Sequence, residues 1–176
     1  SIKTYSDFKN AVPIRDYEQM REDIEDIAAG KANVLWPGKP LYFCKSSGTT
    51  SGAKYIPITE PQIKEMIRAA RNSLMMYVAE TGNAGFFDHK MIFLQGSPEL
   101  DKHGKIPTGR LSGIVYHHVP GYVNANRMPS YKVNCIEDWE QKVDARANET
   151  RSQRWSLISD IPPLFIMYFE KLRELT

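Results

Sequence analysis

The sequence has 176 residues, of which 41% are apolar and 25% are charged, with a net charge of +2 at pH 7. These proportions are typical of a soluble globular protein, and the length allows one domain with a sizeable core. The small net charge gives no reason to expect nucleic acid or an anionic membrane as a partner. Two cysteines make no disulfide framework, the four histidines show no metal-ligand spacing, and no apolar run is long enough to span a membrane. With no signal peptide pattern either, the sequence predicts a cytoplasmic protein.

The first predicted helix follows a mixed segment at residues 1–14. Asp16, with Gln19 three residues later, predicts its N-cap, apolar residues continue at helical spacing to Ala28, and Gly30 ends it. We interpret the carboxylates of this helix as a solvated face rather than a catalytic pair. A turn at Trp36-Pro37-Gly38 then leads into the first strand.

A loop rich in Ser, Thr and Gly separates two short apolar runs, 41–44 and 55–58, that predict strands. The loop spans residues 46–54, namely Ser46, Ser47, Gly48, Thr49, Thr50, Ser51, Gly52, Ala53 and Lys54. Glycines let the backbone approach a ligand, successive N–H groups make an anion-binding concavity, and a lysine adds a compact positive charge. The loop is therefore predicted to bind a polyphosphate; the alternative is a surface hairpin with no ligand.

This loop is not a Walker A loop, in which Gly-x-x-x-x-Gly-Lys-Ser/Thr leads from a strand into a helix. Gly48 and Gly52 are one residue too close, and Ala53 separates Gly52 from Lys54. The sequence after the lysine, Tyr-Ile-Pro-Ile, is typical of a strand. The element is thus predicted to be strand–loop–strand.

A long helix is predicted next, from a capping box of Thr59 and Gln62 to a stop at Gly82. We interpret its larger apolar residues as core packing, namely Met66, Leu74, Met75 and Met76. A turn at 85–88, a strand at 90–95 and a loop through Gly104 follow. Residues 106–116 are then predicted as a strand with a bulge at Gly113.

The last third is predicted as a loop at 121–131, a helix from about Glu137, a strand at 155–159 and a final helix. Asp160 is the predicted N-cap of the final helix, with Pro162 and Pro163 in its first turn. Because apolar residues surround this helix almost completely, it is predicted to be well buried.

Residues Phe43 to Lys54 resemble, at every position, the phosphate-loop signature of the acyl-adenylate-forming superfamily. That signature is an apolar residue, two variable positions, then Ser/Thr-Ser-Gly-Thr-Thr-Ser/Gly-x-Pro/Ala-Lys. The continuation Tyr55-Ile56-Pro57-Ile58-Thr59 is similar specifically to the auxin-responsive acyl-acid amido synthetase family, which has bacterial members. The resemblance covers nearly the whole chain, including Asp16-Tyr17 and Ser159-Asp160-Ile161-Pro162-Pro163.

The resemblance implies an α/β layered fold that is part of the large N-terminal domain of an acyl-adenylate-forming enzyme, and the alternating strands and helices agree. Residues 1–176 would be a partial N-terminal adenylation domain, with the C-terminal lid domain absent. Two later family motifs near the adenine and ribose, Tyr-x-x-Ser-Glu and Tyr-Arg-x-Gly-Asp, do not occur. The isolated chain is therefore expected to be inactive, to bind ATP weakly and to self-associate through uncovered apolar surface.

The implied reaction uses ATP and Mg²⁺ to activate a carboxylic acid as an acyl-adenylate, which an amino acid or other amine converts to an amide. Thr49, Thr50 and Lys54 are the implied catalytic residues, and residues 46–52 would bind the phosphates. The resemblance places the acid in a pocket that includes Arg71, Leu111 and Ser112, although Arg68 could replace Arg71. An acyl-CoA ligase and a non-catalytic nucleotide- or partner-binding module remain alternatives. Tyr55 speaks against the first, because such ligases usually have Gly directly after the lysine.

Overall fold

Two β-sheets organise the chain in the computed structural model, which describes residues 2–46 and 52–175. The first sheet has the order β2–β1–β5–β4, and the second has the order β6–β3–β7. β1 pairs antiparallel with β2 and parallel with β5, and β3 runs parallel to both of its neighbours. The strands are β1 Tyr42–Lys45, β2 Tyr55–Ile58, β3 Lys90–Phe93, β4 Asp101–His103, β5 Ile106–Gly109, β6 Arg127–Met128 and β7 Trp155–Ser159.

Helices alternate with these strands, so the predicted α/β fold is confirmed. They are α1 Tyr5–Ala11, α2 Arg21–Ala28, α3 Glu60–Thr81, α4 Leu111–Tyr116, α5 Gly121–Asn124, α6 Tyr131–Asn134, α7 Trp139–Thr150 and α8 Pro162–Glu174, with 3₁₀ turns at Glu18–Met20 and Gly85–Phe87. None of the helices in the described ranges combines the length and the hydrophobicity that crossing a bilayer requires.

Helices cover both faces of the first sheet. Successive side chains of a strand point to opposite faces, so one strand can pack against both helical layers. Phe43 and Ile106 pack against Ile24 and Ile27 of α2 on one face. On the other face, Tyr42 and Cys44 pack with Ile58 against residues of α3 and α4, namely Ile63, Ile67 and Ile114. The second sheet is covered by α7 and α8, with Ile92, Leu94 and Met128 packed against Ala147 and Tyr168.

The N-terminal predictions hold in part. Asp16 and Gln19 form the predicted box, since each side chain accepts a 2.9 Å hydrogen bond from the other residue's backbone N–H. The box precedes a 3₁₀ turn, however, and α2 begins only at Arg21. The segment at 1–14, predicted as mixed, contains the exposed helix α1. The strand–loop–strand prediction is confirmed by the antiparallel pairing of β1 with β2.

The prediction of one strand over 106–116 is wrong. β5 ends at Gly109, and α4 follows from Leu111. Gly113 is buried in α4 against the carbonyl group of Ser97, so packing against the preceding loop determines the structure there. The segments predicted as loops also contain regular structure, namely β4, α5, β6 and the start of α6.

The burial predicted for α3 and α8 holds only in part: Met66 and Leu74 of α3 are half-buried, and Phe165 and Leu172 of α8 pack in the core with Tyr168. α3 has the predicted bounds, with Thr59 and Gly82 as its caps, yet Met75 and Met76 are exposed. In α8 only Tyr168 is buried. Ile166 and Phe169 are exposed, although the centre of the Phe169 ring lies 6.2 Å from that of Trp155 in β7. The strand at 155–159 is confirmed, whereas Ile161 rather than Asp160 stands at the N-cap of α8, and no side chain caps that helix.

Candidate functional site

A cavity of about 950 Å³ lies where the C-terminal ends of β1, β3 and β7 meet α3 and α4. Cys44 and Lys45 line it from β1, Phe93 lines it from β3, and Ser159 lines it from β7. The carboxyl ends of parallel strands are the usual place for ligands in open α/β sheets. The cavity is therefore the first place in the described chain to look for a substrate.

The cavity combines apolar walls with an excess of positive charge. Its apolar walls come mainly from α3, β3, the segment around α5 and the start of α8, including Ile67, Leu74, Met75, Phe87, Phe93, Leu111, Val115, Val123 and Leu164. Its charged lining residues are six cations and one carboxylate, namely Lys45, Lys64, Arg68, Arg71, Arg110, Arg127 and Asp160. Such a lining suits a ligand with an apolar body and an anionic group.

All three residues that the sequence placed in an acid pocket line this cavity. Arg71 projects from α3, and Leu111 and Ser112 occupy the first turn of α4. The hydroxyl oxygen of Ser112 accepts a 3.2 Å hydrogen bond from the backbone N–H of Gly96. Arg68, the alternative to Arg71, also lines the cavity, but its guanidinium is paired with Glu65. The structure brings these residues together, and their role in binding an acid stays a prediction.

The base of the predicted phosphate loop is closed by two hydrogen bonds between its end residues. The backbone N–H of Ser46 donates to the carbonyl of Lys54 over 2.9 Å, and the N–H of Lys54 donates to the hydroxyl of Ser46 over 3.1 Å. Gly52 has a φ of +83°, which only glycine adopts readily. Ser47, Gly48, Thr49, Thr50 and Ser51 lie outside the described residues, so the phosphate-binding and catalytic roles predicted for them stay predictions.

Lys54 contacts an aromatic residue that the sequence analysis did not select. Its ammonium lies 5.4 Å from the centre of the Tyr17 ring, within the range of a cation–π contact. The hydroxyl of Tyr17 accepts a 2.8 Å hydrogen bond from the backbone N–H of Tyr55. Tyr17 thus holds both the lysine and the strand that follows it. The sequence indicated Tyr17 only as the first apolar residue of the predicted helix and as part of the family segment Asp16-Tyr17.

The half-buried guanidinium of Arg127 lies in the floor of the cavity. The guanidinium of Arg127 lies between the rings of Phe93 and Tyr116, at 5.0 and 4.4 Å from their centres, and donates to the side-chain oxygen of Gln95. Burial lowers the pKa of Arg127 to about 10. Sequence reasoning missed Arg127 because it lies in a segment predicted as a loop, where no local pattern indicates a buried cation.

Arg146, a buried residue of α7, is not among the residues that line the cavity but contacts Gln95, which is. It donates to the backbone carbonyl of Gln95 and, over 3.0 Å, to the side chain of Asn134. Burial lowers its pKa to about 10, and burial likewise raises the pKa of Asp160 nearby. Within residues 2–46 and 52–175, no group of three or more His, Cys, Asp or Glu side chains could hold a metal ion.

Comparisons with known proteins agree with the fold. Residues 1–155 match the model of the GH3 family N-terminal domain. The chain is 27% identical over 117 residues to the jasmonoyl–L-amino acid synthetase JAR4 of Nicotiana attenuata, a match that covers 63% of this chain and 19% of that protein.

Two solved structures also match. The GH3.15 acyl acid amido synthetase in complex with 2,4-DB has a TM-score of 0.71 at 18% identity, and a second structure of a GH3.15 acyl acid amido synthetase has a TM-score of 0.68 at 19% identity. Each match covers 97% of this chain, and at these identities the likeness concerns the fold alone. The chain spans 31% and 30% of the lengths of these two proteins, and the match to JAR4 covers still less of that protein.

Proposed function

Because this chain belongs to the GH3 family, we propose that the intact protein is a ligase that activates a carboxylic acid with ATP and passes the acyl group to an amine. The acid is activated as an acyl-adenylate with release of pyrophosphate. An amino acid or other amine then attacks and forms the amide. The two structural relatives are acyl acid amido synthetases and JAR4 is a jasmonoyl–L-amino acid synthetase, and these names support an acid and an amino acid as the substrates.

One observation carries this proposal: the apolar, cation-lined cavity adjoins the base of the phosphate loop. Lys45, which lines the cavity, directly precedes Ser46, which closes the loop with Lys54. An acid bound in the cavity would hold its carboxylate beside the phosphates of a nucleotide bound by the loop. Holding two reactants together in this way supplies much of the catalysis of a two-substrate reaction.

The loop has an electrostatic task in the first step. As the acid carboxylate attacks the α-phosphorus, negative charge develops on the departing pyrophosphate. Backbone N–H groups of residues 47–52, with the hydroxyls of Thr49 and Thr50, would stabilise that charge without reorganising. Lys54 would add a cation held by Tyr17. Mg²⁺ would be held largely by the phosphates, as is usual for this ion, and would neutralise charge there.

At the acid, Arg71 and Arg110 would attract the carboxylate, and Ser112 could donate its hydroxyl hydrogen, because its oxygen already accepts from Gly96. Leu111 would contact the apolar body of the acid. No residue needs to remove a proton in this step, since the nucleophile is already a carboxylate.

The proposal is tested by acid-dependent exchange of pyrophosphate into ATP, with a panel of aryl and indolyl carboxylic acids and the intact protein. We expect exchange with some of these acids, and an amide rather than a thioester when amino acids and coenzyme A are both present. Thr49→Ala and Thr50→Ala should each lower the exchange rate by about 100-fold, with no loss of thermal stability.

Each alternative has its own result in this experiment. A thioester product would indicate an acyl-CoA ligase. A folded protein that shows no exchange with any acid would indicate a binding module. If both threonine variants kept full exchange while the melting temperature fell, the loop would be structural.

A further inference from the structure

Both oxygens of Gln95 accept hydrogen bonds from arginines, of which Arg146 is buried and Arg127 half-buried. Arg127 donates to the side-chain oxygen, and Arg146 donates to the backbone carbonyl. Because a guanidinium can only donate hydrogen bonds, Arg127 determines which end of the side-chain amide carries the oxygen. The nitrogen of the amide, Nε2, must therefore occupy the other end.

That nitrogen is buried and has no hydrogen-bond partner among the described residues. Gln95 follows β3 directly and lines the cavity. Buried polar groups in proteins nearly always have a partner, whether protein, water or ligand. The described neighbours supply none. Nε2 is closed to solvent in this structure, but Gln95 lines the cavity, so a partner from the cavity reaches Nε2 once the side-chain amide shifts toward it.

The charges around Gln95 favour an anion as this partner. Arg127 and Arg146 both contact Gln95, while Asp160 is the one carboxylate that lines the cavity. Burial lowers the pKa of each arginine only to about 10, so both remain charged near neutral pH. The floor of the cavity is therefore positive, and an oxygen that carries negative charge is the favoured acceptor.

We infer that Gln95 binds the substrate acid, with its Nε2 donating a hydrogen bond to a carboxylate oxygen. The inference rests on the proposed function and adds a residue to it. Ser112 lies on the same wall, because its hydroxyl is bonded to the N–H of Gly96, the residue after Gln95. The two side chains hold the carboxylate from one side, and Arg127 positions Gln95 for this contact.

The decisive variant is Gln95→Glu. Glutamate has the same shape and can still accept from Arg127, and the backbone carbonyl that accepts from Arg146 is unchanged, so the protein should fold and be at least as stable as the wild type. It lacks the amide donor, however, and would be charged beside two guanidiniums, so it would repel the acid. We expect the KM for the acid to rise by about tenfold or more. The KM for ATP should stay within about twofold of the wild-type value, and the melting temperature should stay within about 2 °C of its own wild-type value.

The measurement is acid-dependent exchange with the intact protein, using benzoate and indole-3-acetate as the first acids. Gln153→Glu is the matched control, because it makes the same change at an exposed residue outside the cavity. Gln95→Met provides a second test in case Gln95→Glu fails to fold. It removes the donor without adding charge, and it should raise the KM for the acid by a smaller factor.

The outcomes separate this inference from the proposed function. Absence of exchange in the wild type would refute both. Exchange in the wild type, with an unchanged KM for the acid in folded Gln95→Glu or Gln95→Met, would refute the role of Gln95 alone and indicate that its amide binds an ordered water. A rise in the KM for ATP equal to the rise for the acid would also refute it, because the whole site would then be disturbed.

Discussion

The hydroxyl of Tyr17 accepts a hydrogen bond from the backbone N–H of Tyr55 across 2.8 Å. Tyr17 stands before α2, and Tyr55 is the first residue of β2, directly after Lys54. The same tyrosine ring lies under the ammonium of Lys54. One side chain from the N-terminal part of the chain therefore holds the outgoing end of the predicted phosphate loop.

Tyr17→Phe should lower the free energy of unfolding by about 1–3 kcal/mol, because it leaves the half-buried N–H of Tyr55 without its acceptor. Urea unfolding measures this loss. Tyr5→Phe removes the same hydroxyl from a side chain that is 79% exposed, and it should change the stability very little. Equal losses in the two variants would mean that the bond to Tyr55 contributes nothing.

Gly113→Ala should destabilise the protein, although replacing glycine by alanine inside a helix normally stabilises it by about 0.5–1 kcal/mol. A Cβ at Gly113 would stand far inside van der Waals distance of the carbonyl oxygen of Ser97, and backbone atoms can make room only by shifting α4 from the wall of the cavity. Overpacking of this kind costs about 1–3 kcal/mol, and more where backbone must move. Thermal unfolding would measure the effect.

Gly121→Ala is the control for this substitution, because no atom lies within 4 Å of a Cβ placed there. It should be neutral or stabilising by up to about 1 kcal/mol, since alanine restricts the unfolded chain. If Gly113→Ala were as harmless as Gly121→Ala, the close packing of α4 against residue 97 would be wrong.

The sequence predicted best those elements whose local pattern agrees with their packing. The hairpin around the loop, α3 with its caps at Thr59 and Gly82, and β7 all have strong local signals. α4 was missed because its residues Ile114 and Val115 favour strand locally, whereas the contact of Gly113 with Ser97 decides the conformation. β4 was missed because it is an edge strand with exposed residues, and it lacks an apolar pattern.

The residues of the candidate site likewise fall into those that the sequence predicted and those that it did not. The loop residues could be named from consecutive positions, because a phosphate loop is a local structure. The polar cluster around Gln95 could not be named in this way. Gln95 follows β3, Arg127 lies in β6 and Arg146 lies in α7, so the three residues meet only in the folded chain. Arg146 is also buried and Arg127 half-buried, which runs against what their charge predicts.

Thr150 and Tyr168 join α7 to α8 through a buried hydrogen bond of 2.6 Å between their hydroxyls. Thr150→Val and Tyr168→Phe should each cost about 1–3 kcal/mol, because each leaves the other hydroxyl with one partner fewer in a buried site. Burial is also the main reason that the pKa of Tyr168 is raised, so this hydroxyl stays protonated at neutral pH.

The double variant distinguishes this bond from simple packing. With both hydroxyls removed, no unpaired partner remains, so the double variant should lose less than the sum of the two single losses, by about 0.5–3 kcal/mol. Strictly additive losses in denaturant unfolding would show that the two hydroxyls do not interact.

The last prediction concerns the exposed apolar side of α8 in the 176-residue chain. Ile166 is 60% exposed and Phe169 is 43% exposed, and residues three apart lie on the same side of a helix. Exposed apolar surface of this kind favours association, so the chain by itself should form dimers or larger species as its concentration rises.

Ile166→Lys places a charge in the middle of this surface and should shift the chain toward monomer without unfolding it. Glu22→Lys, at an exposed position of α2, should leave association largely unchanged, and sedimentation velocity over a concentration series would measure all three proteins. A wild-type chain that stays monomeric throughout, or an Ile166→Lys variant that associates as strongly as the wild type, would show that this face of α8 does not drive association.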